Sequence, residues 1–232
     1  MVSILTLTYQ RHHLLEEAIQ SYLLQLEGYE NESEMVIIND SPEVQYTFDH
    51  PNVRVINHPI RFSSVGKKLE WGFKQCKGDW IYRLDDDDLL SPWALDVNKS
   101  YRIENPEKDI VRDEKHYFFS QNNYQGLSSS INCGNCYSKK YIESIGSIID
   151  SSMGEDNWLT FMNNADIHIG NGDKFTMIYR WGMNTYHISG MGDISNEEIF
   201  KITDKSNTEN GIITLKPKFN EDYWCQIPDS VG

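Results

Sequence analysis

Residues 78–92 read GDWIYRLDDDDLLSP. The segment WIYRL is short, apolar and rich in β-formers, as expected of a buried strand. It runs straight into four aspartates, Asp85, Asp86, Asp87 and Asp88. Like charges this close raise one another's pKa or demand a cation. Carboxylate oxygens are hard ligands that suit Mg²⁺ or Mn²⁺, ions that bridge one or two carboxylates to substrate phosphates. The plainer alternative is a solvated acidic turn before the helix that begins near Ser91-Pro92, where acids favour the N-terminus. A calcium loop is excluded, because the sixth position from Asp85 is Leu90 rather than glycine.

Working outward, residues 2–8 (VSILTLT), 35–39 (MVIIN) and 53–57 (VRVIN) are further apolar β-rich runs. Between the first two, Leu14, Leu15, Ala18, Ile19, Tyr22, Leu23 and Leu26 follow helical spacing with one buried face. A second helix is predicted over 64–76. Strand, helix, strand, strand, helix, strand predicts an α/β fold with an open, mostly parallel twisted sheet flanked by helices. Ligands of such sheets bind at the carboxyl ends of the strands. Those ends carry Thr8-Tyr9, Asn39-Asp40, Asn57-His58 and the aspartate run. Beyond residue 92 the pattern is less regular. It predicts helices over 92–102, 139–145 and from near Gly154 to 164, with strands at 110–119, 131–137, 177–179 and 184–188. With no repeat or linker, one domain over 1–232 is expected: a nucleotide-binding half (1–92), a catalytic and acceptor half (93–191) and a tail (192–232).

Composition narrows the partners. The 232 residues are 39% apolar and 24% charged, which is ordinary for a globular chain. A net charge of −14 repels phosphate backbones and anionic lipid, so no nucleic-acid partner is expected. A bound divalent ion can still reverse the sign locally for a nucleotide. No run reaches the ~18 apolar residues of a membrane helix, and the start MVSILTLTY lacks a signal-peptide pattern. A cytoplasmic protein without an integral membrane segment is the expectation.

The stretch from Gly78 to Pro92 resembles the DXD segment of family 2 glycosyltransferases of GT-A fold. LTLTYQR resembles that family's first strand and nucleoside-holding turn. MVIINDSPE resembles its second strand, ending in the acid that contacts the base. By that resemblance, the donor is a nucleotide-sugar, with a UDP-sugar favoured. Thr8, Tyr9, Arg11, Asp40, Lys68, Asp85 and Asp86 are its binding residues. Asp87 and Asp85 hold Mn²⁺ or Mg²⁺, with His187 as a third protein contact. Asp88 is expected to lie behind the ligands or to cap the following helix. MGEDNW at 153–158 resembles the family's acidic pair, making Asp156 the general base of an inverting transfer and Glu155 its neighbour. The same two acids also suit a helix N-terminus. The family's usual Arg-Asn pair is replaced here by Leu69 and Glu70. The acceptor is a carbohydrate or glycoconjugate of unspecified kind.

Two other functions compete. A nucleotidyltransferase shares the layout and the aspartates but needs a glycine-rich basic loop, and residues 8–14 contain no glycine. A non-catalytic nucleotide- or carbohydrate-binding module predicts that Asp156 is dispensable. Cys133 and Cys136 form a CxxC without a second pair or suitably spaced histidines, so zinc is not expected. Arg180 is read as a phosphate neutraliser or a surface ion-pair partner.

Overall fold

The computed structural model describes residues 1–129, 134–152, 154–182 and 211–228. The strands are β1 (Val2–Thr8), β2 (Ser33–Asn39), β3 (Gln45–Thr47), β4 (Val53–Asn57), β5 (Trp80–Arg83), β6 (Leu89–Leu90), β7 (Ile110–Asp113), β8 (Lys115–Ser120), β9 (Asn123–Ser129), β10 (Cys136–Ser138), β11 (Ile167–Gly170), β12 (Met177–Trp181) and β13 (Ile212–Thr214). The helices are α1 (His12–Leu23), α2 (Val65–Gln75), α3 (Ala94–Glu104), α4 (Lys139–Ile145), α5 (Glu155–Phe161) and α6 (Tyr223–Gln226).

Seven strands form the main sheet, in the order β11-β7-β10-β5-β1-β2-β4. All its pairs are parallel except those made by β10, which runs antiparallel to both neighbours. The central strands are buried on both faces, which explains their unbroken apolar runs. Alternate side chains divide between two cores. Ile4, Met35 and Ile37 pack with Leu15, Ile19 and Tyr22 of α1 and with Ala94 and Leu95 of α3. Leu5, Val36 and Ile38 pack with Leu69 and Phe73 of α2, Tyr141 of α4 and Leu159 of α5. The result is a three-layer α/β/α fold, as the order of elements predicts.

Gly78 explains how β5 is delivered to the sheet. A Cβ there would meet the Ser3 backbone nitrogen at 2.6 Å, and the Gly78 N–H donates to Ser3 Oγ at 2.8 Å. Only glycine permits so close an approach to β1.

A second sheet has the order β6-β12-β8-β9. Since β5 belongs to the first sheet and β6 to the second, the four aspartates are the crossing between them. The expected strand over 110–119 is divided in the same way: β7 joins the main sheet and β8 the second, changing sheets at Glu114. Hydrophobic pattern cannot reveal such a change, because both halves are buried. Four short strands, β3, β6, β11 and β13, were invisible to periodicity because two to four residues carry too little pattern; β9 was missed because its residues are polar and half exposed. The segment 211–228, part of the expected tail, docks on the rest of the chain. Its β13 pairs in parallel with β3, and Tyr223 and Ile227 enter the core beneath the second sheet.

Candidate active site

The sites expected from sequence meet at the carboxyl ends of β1, β2 and β5. Beyond β1 the chain turns sharply at Gln10, whose φ of 55° is left-handed for a non-glycine residue. The Gln10 amide holds this conformation by donating to Ser41 Oγ at 3.1 Å and to Glu43 Oε2 at 3.0 Å. Arg11 follows and serves as the N-cap of α1. Its guanidinium lies against the aspartates. Nε donates to Asp86 Oδ2 at 3.2 Å, a second nitrogen bonds Asp86 Oδ1, and the third reaches Asp87 Oδ2 at 3.0 Å. Burial disfavours the Arg11 charge, but Asp86, Asp87 and Asp85 outweigh it and raise its pKa. Asp86 is fully buried, which with the charge of Asp87 lifts its pKa to about 6 against the opposing pull of Arg11.

Asp40 and Lys68 form a separate buried pair. The Lys68 ammonium donates to Asp40 Oδ1 at 2.5 Å and to the Thr8 carbonyl at 2.6 Å, while Asp40 Oδ2 accepts the Phe62 N–H at 3.0 Å. Lys68 thereby ties the ends of β1 and β2 together. Nearby, the Arg61 guanidinium stacks on the Tyr9 ring, 3.5 Å from its centroid. Leu69 points into the core, and Glu70 bonds Lys67, Lys74 and Ser147.

Asp85, Asp87 and Asp88 each place a carboxylate oxygen within 4.8 Å of the others. Three hard, anionic oxygens at this spacing fit a divalent ion such as Mg²⁺ or Mn²⁺. Asp88 therefore joins the group instead of standing behind it or capping α3. Burial and its two aspartate neighbours push the Asp88 pKa well up, although its Oδ1 accepts the Arg180 N–H at 3.0 Å. His187 lies outside the described residues.

Arg83, the last residue of β5, connects this cluster to α5. Its Nε donates to Asp85 Oδ1 at 3.1 Å, one terminal nitrogen to Glu155 Oε1 at 3.3 Å, and the other pairs with Asp156 Oδ1. The α5 N-terminus is set by Gly154, whose φ of 75° makes the left-handed turn into the helix. Asp156 thus stands one guanidinium away from Asp85. Sequence reasoning overlooked Arg83, although a signal was present: a cation inside an otherwise apolar strand, two residues before an acidic run.

Arg180 is neither on the surface nor open to a phosphate. It is fully buried and paired with Glu17 of α1, and its Nε donates to the Asp87 carbonyl at 2.6 Å. Tyr223 of α6 donates to Glu17 Oε1 at 3.1 Å. Glu17 also takes the Asn220 N–H at 2.9 Å, and the Trp224 indole donates to the Leu90 carbonyl at 3.0 Å. This knot fastens the C-terminal segment and α1 to the aspartate turn. Cys76 and Cys136 are buried thiols, as packing residues should be.

The mostly parallel sheet flanked by helices is a GT-A fold. Residues 3–111, just under half of the chain, match the family described as Glycosyl transferase family 2. The fold is similar to that of S. aureus TarS 1–349 in complex with UDP-GlcNAc, at 17% identity and a TM-score of 0.67, covering 86% of this chain and 63% of that one. TarS 1–349 with UDP gives 18% identity, a TM-score of 0.62 and coverage of 78% and 60%. The mannosyltransferase PcManGT from Pyrobaculum calidifontis, in complex with GDP-Man and Mn²⁺, gives 14%, 0.55, and coverage of 77% and 56%. The chain thus spans less than two thirds of the length of each of these structures. No curated protein matches it. Among the described residues, no helix is long and apolar enough to cross a membrane.

Proposed function

We propose that the protein transfers a sugar from a nucleoside-diphosphate donor, a UDP-sugar first among them, to a hydroxyl of a carbohydrate or glycoconjugate acceptor, with inversion. The observation that carries this reading is the link from Asp85, Asp87 and Asp88 through Arg83 to Asp156. It joins a carboxylate set suited to a cation with a carboxylate suited to a proton.

Asp85, Asp87 and Asp88 would hold Mn²⁺ or Mg²⁺. When bound, the ion supplies positive charge against the diphosphate as the sugar leaves. The turn at Thr8, Tyr9 and Asp40 supports the nucleoside. Asp156 takes the acceptor hydroxyl proton as that oxygen bonds the anomeric carbon and the bond to the diphosphate breaks, the electron pair leaving with the phosphate. Arg83 and Glu155 fix the direction in which Asp156 points, and such orientation is a large part of what a positioned base supplies.

A thermal-shift panel of UDP, GDP, dTDP and CTP, each with and without Mn²⁺, tests the donor half. Stabilisation by one diphosphate only with metal is expected; indifference to all of them would refute it. Asp156→Asn should keep that stabilisation and lower turnover by about 10²–10⁴-fold. Undiminished turnover in that variant would place the base on another residue.

A further inference from the structure

Three arginines press on the aspartate turn, and one differs from the others. Arg83 and Arg180 have side-chain exposures of 6% and 0%, and each has a carboxylate partner outside the turn, Glu155 and Glu17 respectively. Arg11 has 21% exposure, and its ion pairs are with Asp86 and Asp87 themselves. Its nitrogen lies 3.0 Å from Asp87 Oδ2. Asp87 is also one of the three residues whose oxygens converge for a cation.

The backbone under Arg11 is immobilised. Gln10 is held left-handed by its bonds to Ser41 and Glu43. The Arg11 carbonyl accepts two N–H groups in the first turn of α1, from Leu14 at 3.0 Å and Leu15 at 3.1 Å. A strained, doubly anchored turn is a reason to look for function. Here it leaves side-chain rotation as the route by which the guanidinium can quit Asp87, toward its exposed side.

Charge then decides the order of events. A divalent ion on Asp87 and a guanidinium on the same carboxylate repel each other across a few ångströms in a partly buried site. A diphosphate removes that conflict, because its oxygens give the guanidinium other anionic acceptors and neutralise the surplus charge. Resting on the donor reading above, we infer that Arg11 and a divalent cation compete for Asp87 and that the nucleoside diphosphate resolves the competition by taking the guanidinium. Free cation is held off, and cation and diphosphate enter cooperatively. Arg11 is thus the residue that makes the site accept a metal–diphosphate pair in preference to either alone. Linkage requires the effect to be reciprocal: UDP must tighten Mn²⁺ by the factor by which Mn²⁺ tightens UDP.

The test titrates Mn²⁺, followed by the electron paramagnetic resonance of the free ion, into the full chain with and without UDP. Wild type, Arg11→Gln and Arg11→Lys are compared. In wild type, UDP should tighten Mn²⁺ by about tenfold or more. In Arg11→Gln, Mn²⁺ alone should bind about tenfold more tightly than in wild type, and the gain from UDP should shrink by at least that factor. Arg11→Lys, which keeps the charge and loses the fork, should fall between and covers the case in which the glutamine variant folds poorly. If UDP tightens Mn²⁺ in wild type but Arg11→Gln binds free Mn²⁺ no better, the competition is refuted and the donor site stands. If wild type takes no Mn²⁺ with UDP, GDP or dTDP, the donor reading falls and this inference with it.

Discussion

Arg11 and Arg180 both bond the same short turn, yet their surroundings separate them. Arg180 is fully buried, donates to a backbone carbonyl of the turn, and has Glu17 as its counter-ion, with Tyr223 closing the group. Arg11 is a fifth exposed and bonds the carboxylates themselves. A buried cation with its own counter-ion and a carbonyl to hold is scaffold; moving it would strand a charge out of water. A cation one-fifth exposed, whose partners are the carboxylates of the turn itself, can be expected to exchange them for other anionic oxygens. The turn is therefore fixed from the side of α1 and α6 and adjustable from the side of the β1 turn. Fixed and adjustable contacts on one loop are what the proposed binding of a multiply charged ligand would require.

The contrast can be broken most sharply at Arg180. Arg180→Met leaves Glu17 buried without its cation and should cost about 3–5 kcal/mol, read from urea unfolding. Combining it with Glu17→Met should recover much of that loss; a single variant as stable as wild type would mean that the knot is not structural. Asp87→Asn attacks the adjustable side. It should lower affinity for Mn²⁺ with UDP by about 10²-fold or more, since loss of even an outer-shell partner costs about 10–100-fold. Its unfolding should change far less than that of Arg180→Met. Equal destabilisation by the two variants would erase the distinction between the two sides.

Another buried carboxylate sharpens the comparison with a smaller effect. Asp113 accepts hydrogen bonds from the Thr176 N–H and hydroxyl and from Tyr101. Burial raises its pKa to about 6 in spite of those donors. An acid with a raised folded pKa contributes stability that is complete below its unfolded value near 4 and lost as pH rises through about 6. The stability of wild type relative to Asp113→Asn should therefore fall between pH 4 and pH 7, by about 1–3 kcal/mol. A flat difference across that range would show that Asp113 is ionised throughout. Asp86 titrates in the same region, so the wild-type-minus-variant difference is the informative quantity.

Much of this was legible beforehand, and the missed parts share a cause. Runs such as VSILTLT and MVIIN announce two-sided burial, and the spacing through Leu14, Ile19 and Tyr22 announces α1. Thr8, Asp40 and the aspartates could be assigned to one edge because parallel topology puts strand ends together. Arg83 and Glu17 escaped because a charged residue in an apolar pattern carries no statement of its partner. The partners lie 72 residues from Arg83, at Glu155, and 163 residues from Glu17, at Arg180. Asp88 escaped because four identical neighbours give no hint of which side chains converge. The change of sheets at Glu114 left no trace in hydrophobicity.

Local sequence was enough to establish the α/β class, the main strands of the nucleotide half and the acidic turn at the mouth of β5, because periodicity and short-range charge are properties of contiguous residues. Tertiary structure alone decided which three aspartates gather, that Arg83 joins them to Asp156, and that Arg11 rather than Lys68 meets them. It also decided that Arg180 is sealed beneath the turn by a segment thirty and more residues further on. Electrostatic partnership depends on distances of a few ångströms between chain-remote atoms, and such distances exist only once the two sheets have been brought together around the turn that connects them.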